Sequence, residues 1–429
     1  MQEVSMQAIT SKMKADSYKM AALDIATRND ILSHIADELV KNKDVIFAAN
    51  QKDLEYAEKA NISMSVVKRL AFNEHKLSDV TNGIRQLITL PDPINRQKSA
   101  RQLDEGLILR QITCPIGVIG IIFEARPDAL IQISSLCIKS GNCAVLKGGK
   151  ETANTNKVLF GIIYETAVKY GAPEGCMYQV ESHAEVDELL ACNKSVDLVI
   201  PRGSNQFVQY IMNNTKIPVL GHADGICHTY VDKDADFEKA CKIIVDAKIQ
   251  YTAACNATET LLFDRNLGEE KLRIIAKGLR DNNVALRGSS EVNKIIECEV
   301  MDDDAFDKEY LDMIISVKLV DGVDEAISHI NRFGSHHTDC IITENIETAE
   351  KFMNLVDSAG TFMNCSTRFS DGFRYGLGAE VGISTSKIHA RGPVGLEGLT
   401  TYKYKLYGSG QIVADYAEGR SSFNFKEIG

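Results

Sequence analysis

The spacing of hydrophobic and polar positions changes period several times along this chain. Between residues 18 and 60 apolar positions recur at helical spacing, and Leu32, Ile35 and Leu39 share a face behind Asn29, a candidate cap. Another helix is predicted over 74–92, ending before Pro91 and Pro93. Residues 94–114 are polar and then alternating, as an extended arm or hairpin would be. Ile116–Phe123 is a continuous, largely β-branched run, the pattern of a strand buried on both faces. Helix 128–140, strand Cys143–Leu146, helix 152–170, strand Val196–Ile200 and helix 204–213 follow. A second series predicts helices at 237–247, 269–281, 323–332 and 346–355, with strands at 259–263, 283–286, 314–320 and 339–343. Tyr402–Tyr407 alternates as a further strand. Strands alternating with helices imply parallel sheets with crossover helices. The expected architecture is α/β with two parallel-sheet domains, the first closing near Val231.

Composition narrows the class. The 429 residues leave room for two or three domains, and 44% apolar with 25% charged residues is ordinary for a globular chain. A formal net charge of −11 argues against a nucleic-acid partner. No apolar run reaches about 18 residues and the first residues lack a signal-peptide arrangement, so no membrane span and a cytoplasmic location are expected. The 11 cysteines show neither Cys-x-x-Cys pairs nor His/Cys ligand spacing, which suggests reduced thiols and gives no support for a metal.

The candidate chemistry starts at Cys255, in the turn Tyr251-Thr-Ala-Ala-Cys-Asn256 before an apolar strand. A thiol at such a junction is reachable and can act as a nucleophile, although most cysteines are small buried hydrophobes. Lys147-Gly-Gly-Lys150 ends a buried-type strand where ligands of α/β sheets collect, but it lacks the spacing of a phosphate loop, and no strand is followed by G-x-G-x-x-G. Pro201-Arg-Gly-Ser204 opens a helix and suits either a phosphate or a simple cap. Glu124, Arg126 and Asp128 follow the apolar strand and favour a site over a surface turn. His222 and His228 have no recognised metal spacing. In the glycine-rich tail, Arg368, Arg374, Lys387, His389 and Arg391 face only Asp371 and Glu380 as nearby counter-charges, a local cationic excess fitted to an anion.

Ile119-Gly-Ile-Ile-Phe-Glu-Ala-Arg-Pro-Asp128, Ile200-Pro-Arg-Gly-Ser204, Gly221-His-Ala-Asp-Gly-Ile-Cys-His228, Cys255-Asn-Ala-Thr-Glu-Thr260 and the segment Arg374–Gly398 together resemble the γ-glutamyl phosphate reductase family of the aldehyde dehydrogenase superfamily. The resemblance runs from about residue 5 to the C-terminus, and with no kinase domain preceding it the stand-alone enzyme is expected. It implies an aldehyde dehydrogenase-like fold: a cofactor-binding domain (1–232) with an oligomerisation arm (94–114), a catalytic domain (233–398) bearing Cys255, and a C-terminal return (399–429). It implies NADPH-dependent reduction of L-glutamyl 5-phosphate to L-glutamate 5-semialdehyde, in proline biosynthesis. Cys255 would be the nucleophile, with Asn256 and Arg126 holding the oxyanion. Lys147, Lys150, Arg202, Gly203, Ser204 and Glu309 would hold the cofactor, Lys150 favouring a 2′-phosphate. His222, where hydrolytic relatives carry a glutamate base, and Arg368, Arg374 and Arg391 would bind substrate. A homo-oligomer is expected, and a glutamate 5-kinase passing on the labile acyl phosphate is a partner that the resemblance allows.

Overall fold

Helix Met6–Ala22 begins where Ser5 Oγ accepts the Ala8 N–H, and helix Ile25–Lys41 where the Asp24 carboxylate accepts the Thr27 N–H at 2.7 Å. Asn29 is therefore inside the second helix rather than its cap, and its Oδ1 accepts from Lys139 Nζ at 2.8 Å. The helix starts a turn earlier than expected because Arg28 is buried as well as Ile31, Leu32, Ile35 and Leu39. The Arg28 guanidinium holds both Asp92 oxygens at 2.9 and 2.8 Å and the Leu23 carbonyl at 3.1 Å, and it also binds the Lys139 carbonyl.

The computed structural model describes residues 5–429 except Ala125, His183, Ser204, His222, Ala223, Gly378 and Ala379, with only the main chain of Ser65. Two expected site residues, Ser204 and His222, thus lie outside the described residues. The chain divides into two compact units. One comprises Met1–Leu220, Leu377–Gly382 and Val394–Gly429; the other comprises Gly221–Gly376 and Ile383–Pro393.

In the first unit, β1 (Gln97–Asp104) and β2 (Leu107–Pro115) form the expected hairpin across a turn in which Gly106 has φ +71°. Thr400–Tyr407 pairs antiparallel with β2, and Lys426–Glu427 with β1, completing a four-stranded sheet. A separate parallel sheet contains β3 (Val118–Ile122), β4 (Cys143–Lys147), β5 (Met177–Val180) and β6 (Leu198–Pro201), in the order β5-β4-β3-β6. Every residue of β3 and β4 is buried, as continuous apolar runs require.

The second unit carries a seven-stranded sheet. Its strands are β7 (Cys227–Val231), β8 (Thr258–Asp264), β9 (Ala285–Gly288), β10 (Glu299–Val300), β11 (Ile314–Val320), β12 (Thr338–Ile342) and β13 (Gly360–Met363). Their order is β10-β9-β11-β8-β7-β12-β13, and all neighbours are parallel. Alternate residues of β8 feed opposite faces: Leu261 and Phe263 join Ile244, Leu272 and Leu279, while Leu262 joins Tyr230, Ile330 and Phe352. Because β7 ladders with β8 and β12, the division between units falls at Leu220/Gly221, not near 232. Among the described residues no helix is long and apolar enough to cross a membrane.

Candidate active site

Three adjacent strands of the second sheet, β8, β7 and β12, bring their amino ends together, and the chain just before each strand supplies one part of a site. The turn before β8 carries Cys255, partly exposed as expected for a reachable thiol. The segment before β7 carries Gly225. A Cβ on Gly225 would meet the Cys255 carbonyl oxygen at 2.1 Å, its Cα at 2.4 Å and its Cβ at 2.5 Å, so only glycine lets the two backbones lie this close. The residue before β12 is His337, 1% exposed, whose Nε2 stands 3.2 Å from Cys255 Sγ.

The surroundings fix this arrangement. His337 Nδ1 is 3.0 Å from Thr338 Oγ1, and the Thr338 hydroxyl donates to Ser370 Oγ at 2.8 Å. Asn256 is 3% exposed; its amide nitrogen donates to the Ser370 carbonyl at 2.7 Å, while its Oδ1 is buried and unpartnered. Among the described residues neither the Cys255 nor the Asn256 N–H is spent on another group. Cys227 Sγ donates to the Cys255 carbonyl at 3.3 Å.

Positive charge lies beside the turn. Arg368 is buried, with Nε donating to Gln250 Oε1 at 2.9 Å and its guanidinium over the Tyr251 ring at 5.9 Å. Burial and then the neighbouring Arg374 lower its pKa, while the Cys255 thiol group acts to raise it. Arg374 donates to the Arg368 carbonyl at 3.0 Å. The structure thus joins Arg368 and Arg374 to the Cys255 neighbourhood. Arg391 is engaged elsewhere: with Lys387 it grips Asp357, at 2.8 and 2.7 Å. Glu309 is half-buried in the loop whose Leu311 N–H reaches Glu259 at 3.3 Å. Glu259 forms a fully buried pair with Lys248 at 2.8 Å. Burial pushes the Glu259 carboxyl up to about 7 in spite of that lysine.

In the first unit the loops after β3, β4 and β6 leave the carboxyl end of one sheet, where α/β folds bind nucleotides. Lys147 ends β4 and is buried, which lowers its pKa; its Nζ binds the Gly148 carbonyl. Beside it a cleft of about 270 Å³ is lined by Gly148, Gly149, Lys150, Asn156, Lys157 and Gln179. A Cβ on Gly148 would meet Asn156 Nδ2 at 2.1 Å, and one on Gly149 would meet Glu151 Oε1 at 2.0 Å, both side-chain tips. The Arg202 N–H binds the Ile122 carbonyl at 2.6 Å, and a Cβ on Gly203 would fall 2.9–3.1 Å from the Glu124 carboxylate. Arg126 heads helix Pro127–Lys139 and pairs with Asp128 at 2.7 Å. A larger, open depression of about 630 Å³ at β9 and the edge strand β10 gathers none of the expected residues.

His337 and Gly225 are the site residues that the sequence reading missed. The signal for His337 was present, since His336-His337 precede an apolar strand as Cys255 does.

Residues 1–285 match the model of the aldehyde dehydrogenase family. The γ-glutamyl phosphate reductase of Ruminiclostridium cellulolyticum is 55% identical over 412 residues, 96% of this chain and 95% of that one. That of Acetivibrio thermocellus is 52% identical over 425 residues, 99% of each chain. The crystal structure of the Thermotoga maritima γ-glutamyl phosphate reductase superposes with a TM-score of 0.92 at 35% identity, covering 95% of this chain and 99% of that one. With relatives more than 50% identical matched over nearly their whole length, the chain belongs to the γ-glutamyl phosphate reductase branch of the aldehyde dehydrogenase family.

Proposed function

We propose that this chain reduces L-glutamyl 5-phosphate to L-glutamate 5-semialdehyde and phosphate, using NADPH and an acyl-thioester on Cys255, as a step of proline biosynthesis. The observation that carries the reading is the Cys255 turn, partly open, backed by Gly225 and flanked by Arg368 and Arg374. The Cys255 sulfur attacks the acyl carbon, and the resulting oxyanion takes hydrogen bonds from the Cys255 and Asn256 main-chain N–H groups. We keep Arg126 as a second source of positive charge for that oxygen. Arg368 and Arg374 suit the substrate's anionic groups; Arg391, held by Asp357, is a weaker candidate.

The cleft after β4 suits a dinucleotide, with Lys147 and Lys150 for the adenosine ribose and its 2′-phosphate, Arg202 and Gly203 for the phosphates, and Glu309 for the nicotinamide ribose. When bound, NADPH supplies the reducing equivalents that convert the thioester to the aldehyde. In this reading the chain works in the cytoplasm, where its free cysteines stay reduced, and self-associates through the antiparallel sheet, whose strand Thr400–Tyr407 exposes Tyr402, Tyr404 and Leu406. A glutamate 5-kinase that hands over the labile acyl phosphate remains part of the proposal.

The test runs the reaction backwards: NADP⁺ reduction by glutamate 5-semialdehyde, with and without inorganic phosphate. A phosphate requirement supports the proposal. Equal rates without phosphate would indicate a hydrolytic aldehyde dehydrogenase and overturn it.

A further inference from the structure

We infer that His337 is the catalytic base that takes the Cys255 thiol proton, a residue that the mechanism above does not use. The substrate in this inference rests on the acyl-phosphate reading; the pairing with Cys255 does not. The Thr338 hydroxyl hydrogen is committed to Ser370, so its oxygen faces His337 as an acceptor. That assigns the hydrogen of the neutral ring to Nδ1 and leaves the lone pair on Nε2, the atom 3.2 Å from Cys255 Sγ. The ring sits one residue before β12, whose register with β13 begins at Thr338↔Gly360, so its main chain is clamped where the sulfur needs it. His336, by contrast, turns its Nδ1 to the Asp357 carbonyl at 2.6 Å.

The other ionisable groups acting on this turn cannot do the same work. Arg368 supplies charge but has no lone pair to receive a proton. Cys227 is wholly buried, and its own pKa is pushed up by burial and then by Asp339 and Cys255, with Glu259 adding to it. Among the described residues, the His337 imidazole is the group in contact with the sulfur that has a ring nitrogen able to receive its proton.

The proton balance gives the imidazole a second task. The thiol proton moves to Nε2 as the S–C bond forms and the carbonyl electron pair moves onto oxygen. That pair then returns, breaking the C–O bond to phosphate. An acyl phosphate carries two negative charges, so phosphate departs as the hydrogen-phosphate dianion only after gaining one proton. The imidazolium holds one. The net transfer is a single proton from sulfur to phosphate, with no redox change in this step.

The test uses whole protein without substrate or dinucleotide. His337→Gln and His337→Asn are compared with the unsubstituted chain in the rate at which iodoacetamide alkylates Cys255, followed by peptide mass spectrometry across pH. The expected wild-type profile is governed by two coupled groups and that of each variant by one. At pH 7 the variants should react about tenfold more slowly or worse. In the phosphate-dependent assay kcat/KM should fall roughly 10²-fold or more with little change in KM. Alkylation at wild-type rate and pH dependence overturns the inference. If neither variant folds, histidine NMR on the unsubstituted protein decides: Cys255→Ala must alter the titration of one ring, and no altered ring overturns the inference. Wild-type protein that shows the coupled profile but no phosphate-dependent activity would sink the substrate reading and leave the pair standing.

Discussion

Gly225→Ala is the substitution whose effect follows most directly from the coordinates. The added methyl would lie 2.1–2.5 Å from three atoms of Cys255, where ordinary contact begins at 3.4 Å. All three belong to Cys255, the proposed nucleophile, and two of them to its main chain, so no flexible side-chain tip can swing aside. One of the two turns must retreat by about 1 Å, and displacement of that size at a reacting group costs on the order of 10²-fold in rate. Overpacking of this kind also removes about 1–3 kcal/mol of stability. Gly161 in helix Ala153–Lys169 is the matched control, because a Cβ there meets nothing within 4 Å. Gly161→Ala should leave kcat/KM unchanged and gain roughly 0.5–1 kcal/mol from helix propensity. The assay is phosphate-dependent NADP⁺ reduction alongside thermal unfolding of both variants. A Gly225→Ala protein with kcat/KM and melting temperature like those of the unsubstituted chain would refute the close approach.

Other perturbations test other parts of the account. Arg28→Met strips the half-buried Asp92 and two main-chain carbonyls of their partner, and should cost about 1–3 kcal/mol by chemical denaturation. Asp16 is held down to about 2, first by Lys19 and then by Lys12 and the Gly175 N–H, from an ordinary value of 3.8. Since its folded pKa is the lower one, its contribution is present above pH 3.8 and lost as pH falls towards 2; Asp16→Asn should flatten that part of the stability–pH curve. Lys150→Glu should raise KM for NADPH about tenfold or more while changing KM for NADH little, and equal effects on both would remove Lys150 from the 2′-phosphate site.

The runs that became β3 and β4 were legible because both faces of these strands are buried, and burial on both faces leaves one sequence pattern. β7 was harder to read. Its Cys-His-Thr-Tyr-Val carries buried polar side chains, and His228 Nδ1 is met by Asp339 at 3.0 Å, a partner 111 residues away. β5 was hidden for the opposite reason, being an edge strand with a half-exposed middle. Cys255 was found from its local turn, yet Gly225 and His337 reach it only because β8, β7 and β12 are neighbours, and local periodicity carries no sheet order. In the cationic tail, the pairing of Arg391 was not legible. Its counter-charge, Asp357, lies outside the window in which charges were weighed.

The central claim is that the acyl group is carried on one sulfur, and intact-protein and peptide mass spectrometry after mixing with L-glutamyl 5-phosphate, with no dinucleotide present, tests it most directly. The account predicts a glutamyl adduct on the peptide containing Cys255, discharged when NADPH is added and absent from Cys255→Ala. An adduct on another cysteine, or reductase turnover by Cys255→Ala, would contradict it.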